Sequence, residues 1–189
     1  MNIRRIGLFG GTFDPPHFGH VAALEAAAAS GRFDLIEVTV AGDPYHKRLV
    51  GDVDSANVRL AMARAAFSDL DLVEVSDREI RRDGPSYTID TVRELLRECD
   101  SVDLIVGADL AEQLDSWHEA DELRTLVRVG VGPRPGAMTI VPDGWVSYEI
   151  PMDPVDLSSS YVRGLDPMSS DLRDFLPAQV IPLYQSARG

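Results

Sequence analysis

A single cysteine, Cys99, stands among 189 residues. That excludes an internal disulfide and suits a reducing compartment, so a cytoplasmic location is expected. Cys99 itself reads as structural or incidental. Cations are also scarce: 18 Lys and Arg stand against 31 Asp and Glu, a net charge of −13. So acidic a chain argues against general binding to nucleic acid or to anionic membranes. No apolar run is long enough to span a bilayer. The few apolar residues ahead of Gly10 are too short a run for the hydrophobic region of a signal peptide. No repeat and no dividing linker appear, so one domain over 1–189 is expected, with a C-terminal helical element at about 156–186. The oligomeric state is left open, a homo-oligomer included. With so few cations, a nucleotide ligand would need them gathered locally. That makes the positions of Lys47, Arg48, Arg134 and Arg163 informative, whereas Arg93, Arg97 and Arg124 read as surface charges.

What the chain does have is alternation. Residues 3–9 read as a first strand, followed by a helix from 20 to about 30 with Gly31 as its stop. Residues 35–40 are rich in β-branched side chains and read as a second strand. Asp54 or Ser55 caps a helix running to about residue 67, with Val58, Met62, Ala65 and Ala66 at helical spacing. Strands are expected at 72–75, 102–106, 127–131 and 145–150. Between them lie a charged irregular stretch at 77–85, a helix at 89–98 capped by Thr88 or Ser86, and short helices at 110–117 and 119–126. A further short helix starts in 156–163, a last turn or helix covers 177–184, and 186–189 reads as a frayed tail. Strand–helix alternation predicts a Rossmann-like α/β fold, a mostly parallel sheet with helices on both faces. Ligands of such folds sit beyond the carboxyl ends of the strands. Gly10-Gly11, Ala41-Gly42, Gly107-Ala108-Asp109 and Gly132-Pro133 all follow predicted strands and should converge there.

Gly10 and Gly11 read as a tight turn between the first strand and the first helix. Glycines there allow backbone N–H groups close to an anion, and the helix start adds a positive dipole end. His17 and His20, three apart at that helix start, point the same way. Imidazoles so placed can donate to phosphate oxygens and offset charge during phosphoryl transfer. Local capping or an incomplete metal site is the plainer alternative. The G-x-G-x-x-G dinucleotide fingerprint is missing after the first strand, which weakens a dehydrogenase reading.

The stretch Gly10-Gly11-Thr12-Phe13-Asp14-Pro15-Pro16-His17-Phe18-Gly19-His20 resembles the G-G-T-F-D-P-x-H-x-G-H signature of the nucleotidyltransferase superfamily. More narrowly, it resembles that of the bacterial nicotinate mononucleotide adenylyltransferases. Ser86-Tyr87-Thr88-Ile89-Asp90-Thr91 is similar to their S-x-T-I-D-T element, and Gly107-Ala108-Asp109 with Leu114 and Trp117 to their G-x-D…L…W region. Arg134-Pro135-Gly136 sits where they carry an arginine turn, and Ser158-Ser159-Ser160-Tyr161-Val162-Arg163 resembles their S-S-T-x-I-R motif. The likeness runs over nearly the whole chain, in order and spacing.

The resemblance implies adenylyl transfer from ATP, with Mg2+, to nicotinate mononucleotide, releasing pyrophosphate. His17, His20 and Arg163 would be the catalytic residues. Gly10, Gly11, Thr12 and Phe13 would cradle ATP, Gly107 and Asp109 would face its adenosine, and Ser159, Ser160 and Arg163 would hold its outer phosphates. Lys47, Thr88, Trp117 and Arg134 would bind the mononucleotide, Trp117 by stacking on the pyridine ring. No metal-ligating residues are implied; ATP phosphates and water would carry the cation. Two departures stand out: Tyr45 replaces a second proline of the family's P-P-H-K loop, and Ser160 replaces a threonine while keeping the hydroxyl. The loop change leaves the role of His46 open. The amidated mononucleotide, alone or alongside the acid, remains an alternative substrate. A catalytically idle nucleotide-binding module is a rival of another class, but it would not need both His20 and Arg163.

Overall fold

A computed structural model of the chain describes residues 5–43, 53–136 and 139–188. Six strands form one sheet: β1 Arg5–Gly11, β2 Leu35–Val40, β3 Val73–Ser76, β4 Ser101–Gly107, β5 Val127–Gly132 and β6 Ser147–Glu149. Their order is β3-β2-β1-β4-β5-β6 and every pairing is parallel. The chain winds outward from β1 in both directions, so the order reverses between β1 and β4. That is where a doubly wound sheet opens a crevice for ligand.

The helices are α1 Phe18–Ala29, α2 Ala56–Phe67, α3 Arg78–Arg81, α4 Thr88–Leu95, α5 Ala108–Ala111, α6 Ala120–Leu126, α7 Ser159–Arg163 and α8 Ile181–Arg188. Period-two alternation in the strands builds two cores. Ile6, Leu8, Val102, Leu104, Val129 and Val131 pack on one face with Ile89, Val92 and Leu95 of α4 and Leu123 of α6. Phe9, Val38, Val40 and Ile105 pack on the other with Leu24 of α1 and Leu60, Ala63 and Phe67 of α2. A third cluster joins Met62 of α2 to Val162, Leu172, Leu176, Val180 and Tyr184. The C-terminal helices therefore lie on the outer side of α2.

All six expected strands are present, and four local expectations are corrected. Gly10 and Gly11 are not a turn: β1 runs through both, pairing with Thr39 and Val40. Glycine is needed at 11 because a Cβ there would lie 2.8 Å from Phe13 Cζ. The reversal comes at Phe13, whose φ of 51° is left-handed. The charged stretch at 77–85 contains the single turn α3. The N-cap of α4 is Tyr87, while Ser86 binds elsewhere, its hydroxyl accepting from Gly42 N–H at 2.9 Å and Asp43 N–H at 3.3 Å. The expected frayed tail is helical through Arg188 and ion-paired. Ser55 caps α2, accepting from Val58 N–H, and Gly31 follows α1 with φ 65°, both as expected. Among the described residues no helix is long and apolar enough to cross a membrane.

Candidate active site

A cleft of about 300 Å³ opens at the carboxyl ends of β1, β4 and β5. It is lined by Gly10, Gly11, Thr12, Phe13, His17, His20, Gly107, Asp109, Arg134, Ser159 and Ser160, among others. Eleven of the expected site residues thus meet at the topological switch. The β-strand ends supply Gly11, Gly107 and Gly132. The start of α1 supplies the histidines and the start of α7 the serines.

His17 is the N-cap of α1 and is 5% exposed. Its ring stacks on that of His20, centroids 3.7 Å apart and planes 25° apart. The backbone N–H of His17 donates to His20 Nδ1 at 3.1 Å. A nitrogen that accepts carries no proton, so His20 keeps its hydrogen on Nε2, which can donate to a ligand oxygen. Phe13 sets the other side of the His20 ring edge-on, centroids 5.1 Å apart. The apolar neighbour and the backbone bond together fix one ring orientation.

Arg163 projects from α7 back to the signature loop. Its Nη1 donates to the carbonyl of Asp14 at 2.6 Å and its Nη2 to Ser160 Oγ at 3.0 Å. Ser159 Oγ donates to the carbonyl of Pro15 at 2.9 Å. Ser158 accepts from Tyr161 N–H as the cap. The α1 and α7 motifs are hydrogen-bonded to each other across a separation of 149 residues. A guanidinium has five donors, so two such bonds leave others for an anion.

Asp109 and Arg134 form an ion pair across the cleft, and Arg134 also lies 3.8 Å from Asp156. Arg134, expected with the mononucleotide, is therefore set against the residue expected at adenosine. Thr88 and Trp117 do not line the cleft. They belong to a neighbouring unit joined by the ring of Tyr87 stacking on His118, centroids 4.0 Å apart. Trp117 is half-buried against the core beneath α4. Lys47 and His46 lie outside the described residues.

Sequence reasoning missed Arg59. This side chain on α2 is 1% exposed. Its Nη1 donates to the carbonyl of Thr12 at 2.8 Å, Nη2 to that of Ala41 at 2.7 Å, and Nε to that of Asp54 at 2.9 Å. It thereby couples the ends of β1 and β2 to the start of α2. Burial lowers its pKa, opposed by the charges of Asp14 and Asp54. The signal was present in the sequence: Arg59 shares a helical face with Met62 and Ala66, where a charge is out of place. Burial also raises the pKa of Asp54, with Asp14 adding to the shift and Arg188 opposing it. Glu79, likewise missed, is buried and accepts from Thr91 Oγ1 at 2.8 Å; burial raises its pKa. Among the described residues no three His, Cys, Asp or Glu side chains converge to hold a metal.

The cytidylyltransferase-like family matches residues 8–165. A protein of Shouchella clausii named "Probable nicotinate-nucleotide adenylyltransferase" is 36% identical over 186 residues, spanning 97% of this chain and 95% of its own. One of the same name from Exiguobacterium sibiricum is 34% identical over 183 residues, 96% of each chain. Among solved structures, Plasmodium falciparum nicotinic acid mononucleotide adenylyltransferase complexed with NaAD superposes with a TM-score of 0.77 at 18% identity, over 95% of this chain and 94% of that one. At that identity the likeness speaks for the fold alone. From the family match and the full-length relatives, the chain belongs to the cytidylyltransferase-like family, among its nicotinate-nucleotide adenylyltransferases.

Proposed function

We propose that this chain transfers the adenylyl group of ATP to nicotinate mononucleotide, forming deamido-NAD and pyrophosphate. The observation that carries the reading is the meeting of His17, His20, Ser159 and Ser160 around one cleft, with Arg163 bridged to the loop that bears the histidines. A phosphate oxygen of the mononucleotide attacks the α-phosphorus of ATP; the bond from that phosphorus to the oxygen bridging to the β-phosphate breaks, and pyrophosphate leaves. No protein group needs to attack. Catalysis is then positioning together with stabilisation of shifting charge.

In this reading Gly10, Gly11, Thr12 and Phe13 shape the floor beneath ATP. His17 and His20 donate to its phosphates, His20 through Nε2 nearest the transferring group. Ser159, Ser160 and Arg163 hold the outer phosphates and the leaving charge. Gly107 and Asp109 face the adenosine, which requires Asp109 to exchange Arg134 for a ribose hydroxyl. Thr88 and Trp117 receive the acceptor, Trp117 against the pyridine ring. Arg134, once released, and Lys47 meet its phosphate. Mg2+ would enter with ATP and would supply positive charge against the phosphates that His20 and Arg163 contact. The single cysteine accords with a reducing, cytoplasmic setting.

Ranking kcat/KM for the acid against the amide mononucleotide tests the reading. A site that donates to a carboxylate loses binding when an amide presents its own donors. The acid is expected to win by at least about tenfold, and preference for the amide would overturn the substrate assignment.

A further inference from the structure

Beneath the signature loop lies a charged cluster assembled from distant parts of the chain. Asp14 is 1% exposed. Arg188 Nη2, from the last turn of α8, lies 3.4 and 3.5 Å from its two carboxylate oxygens. The same Nη2 lies 3.3 Å from Asp54 Oδ2, while the backbone N–H of Asp54 donates to Asp14 Oδ2 at 3.4 Å. The main chain of this loop is held as well. The carbonyls of Thr12, Asp14 and Pro15 accept from Arg59, Arg163 and Ser159 in turn. Arginines from α2 and α7 therefore fasten the irregular backbone between β1 and His17, and one from α8 grips a carboxylate on it.

Asp14 is the point where these holds meet. Its carboxylate is gripped by Arg188 and its carbonyl by Arg163, so fixing one orients the other. The apolar anchoring of α8 is made by Tyr184, fully buried a turn earlier, together with Val180 just ahead of the helix. Arg188 comes after those contacts, and its side chain is 21% exposed. What it adds is a positive charge against two carboxylates that burial brings together. Without it, Asp14 and Asp54 would repel each other more strongly, the nearby charge of Arg59 being tied to backbone carbonyls, and Asp14 would turn toward water. The Asp14 carbonyl would move, and Arg163 and the histidine-bearing loop with it.

We propose that Arg188 is a positioning residue for the phosphate side of the site, acting through Asp14 to set the loop on which Arg163 rests. The proposal depends on the reading that this cleft holds the phosphates of ATP. It touches no part of the acceptor site, and that separates it from a general loss of structure.

The test compares Arg188→Gln, Arg188→Lys, Asp14→Asn and the Arg188→Gln/Asp14→Asn double variant, each below its unfolding transition. Arg188→Gln should lower kcat about tenfold and raise the KM for ATP several-fold, with the KM for nicotinate mononucleotide unchanged, since sub-ångström misplacement falls short of the roughly hundredfold cost of a full ångström. Arg188→Lys should recover most of the loss. Asp14→Asn should match Arg188→Gln, and the double variant should lose no more than either, because the two act as one unit. A lower Tm with wild-type kcat and ATP KM would make Arg188 a stability element only and overturn the proposal. So would equal changes in both KM values. Direct calorimetric ATP binding provides a readout independent of the acceptor: an Arg188→Gln affinity equal to wild type overturns the proposal, even if nicotinate mononucleotide proves to be the wrong acceptor. If Arg188→Gln does not fold, Asp14→Asn and Arg188→Lys decide by the same kcat and ATP measurements, and wild-type values in Asp14→Asn refute the role.

Discussion

Replacing Arg59 by Met keeps most of the side-chain volume and removes the charge with its donors. Four hydrogen bonds vanish: three at 2.8, 2.7 and 2.9 Å to the carbonyls of Thr12, Ala41 and Asp54, and a longer one at 3.4 Å to that of Gly42. A buried acceptor left without its donor costs about 1–3 kcal/mol. Asp14 and Asp54 also lose a nearby positive charge. Against this, methionine avoids the desolvation that holds the guanidinium's pKa down. The balance should resemble the loss of one partner of a buried pair, about 3–5 kcal/mol. That is a large share of the roughly 5–15 kcal/mol that keeps a domain folded. For a chain of this length it should lower Tm by about 6–20 °C. Arg59→Lys retains the charge, but one ammonium cannot span three carbonyls in fork geometry, so it should fall between. Urea titration and a thermal melt, both followed by circular dichroism, give the two values. A Met variant within about 1 kcal/mol of wild type would refute the claim that Arg59 clamps the ends of β1 and β2.

His20→Ala should reduce kcat by about 10²–10³ while leaving Tm near wild type, as expected for loss of a donor to developing charge; an unimpaired variant would remove His20 from the mechanism. Trp117→Leu, which preserves packing on the core beneath α4, should raise the KM for the acceptor by about 2–10-fold, the range of an aromatic stacking contact, with the KM for ATP unchanged; an unchanged acceptor KM would exclude the stacking role. For Glu79, burial raises the folded pKa above the ordinary 4.5. Between those two values the folded state holds the extra proton, so Glu79's contribution to stability falls as pH rises. Glu79→Gln should accordingly be more destabilising at about pH 4.5 than at about pH 7.5, measured by urea titration, and the reverse trend would contradict the assignment of its shift to burial.

The centre of the sheet was legible because β1, β2, β4 and β5 each carry a short apolar run closed by glycine or a polar turn. The cleft was legible where its residues fall in contiguous motifs, as with Gly10 to His20 and Ser158 to Ser160. What escaped was of another kind. Arg59, Asp54 and Arg188 lie outside those motifs, and Arg188 meets Asp14 across a separation of 174 residues. Periodicity marks Arg59 as out of place on its helical face, but it carries no record of which distant groups these side chains meet. Local rules failed where tertiary bonds competed with them. Ser86 suited a helix cap, yet its hydroxyl is taken by the backbone beyond β2. Gly10 and Gly11 suggested a turn, yet strand pairing with β2 carries on through them. The region around Thr88 and Trp117 was least legible, because Tyr87 and His118 meet by ring stacking that no spacing announces.

The central claim is a direct transfer of the adenylyl group between two nucleotides in the cleft beside His20. Incubation of the protein with nicotinate mononucleotide and ATP labelled at the α-phosphorus tests it most directly. The account predicts that the label appears in deamido-NAD, mole for mole with released pyrophosphate, and that none is bound to protein. Label retained on the protein, or pyrophosphate released without a labelled dinucleotide, would contradict it.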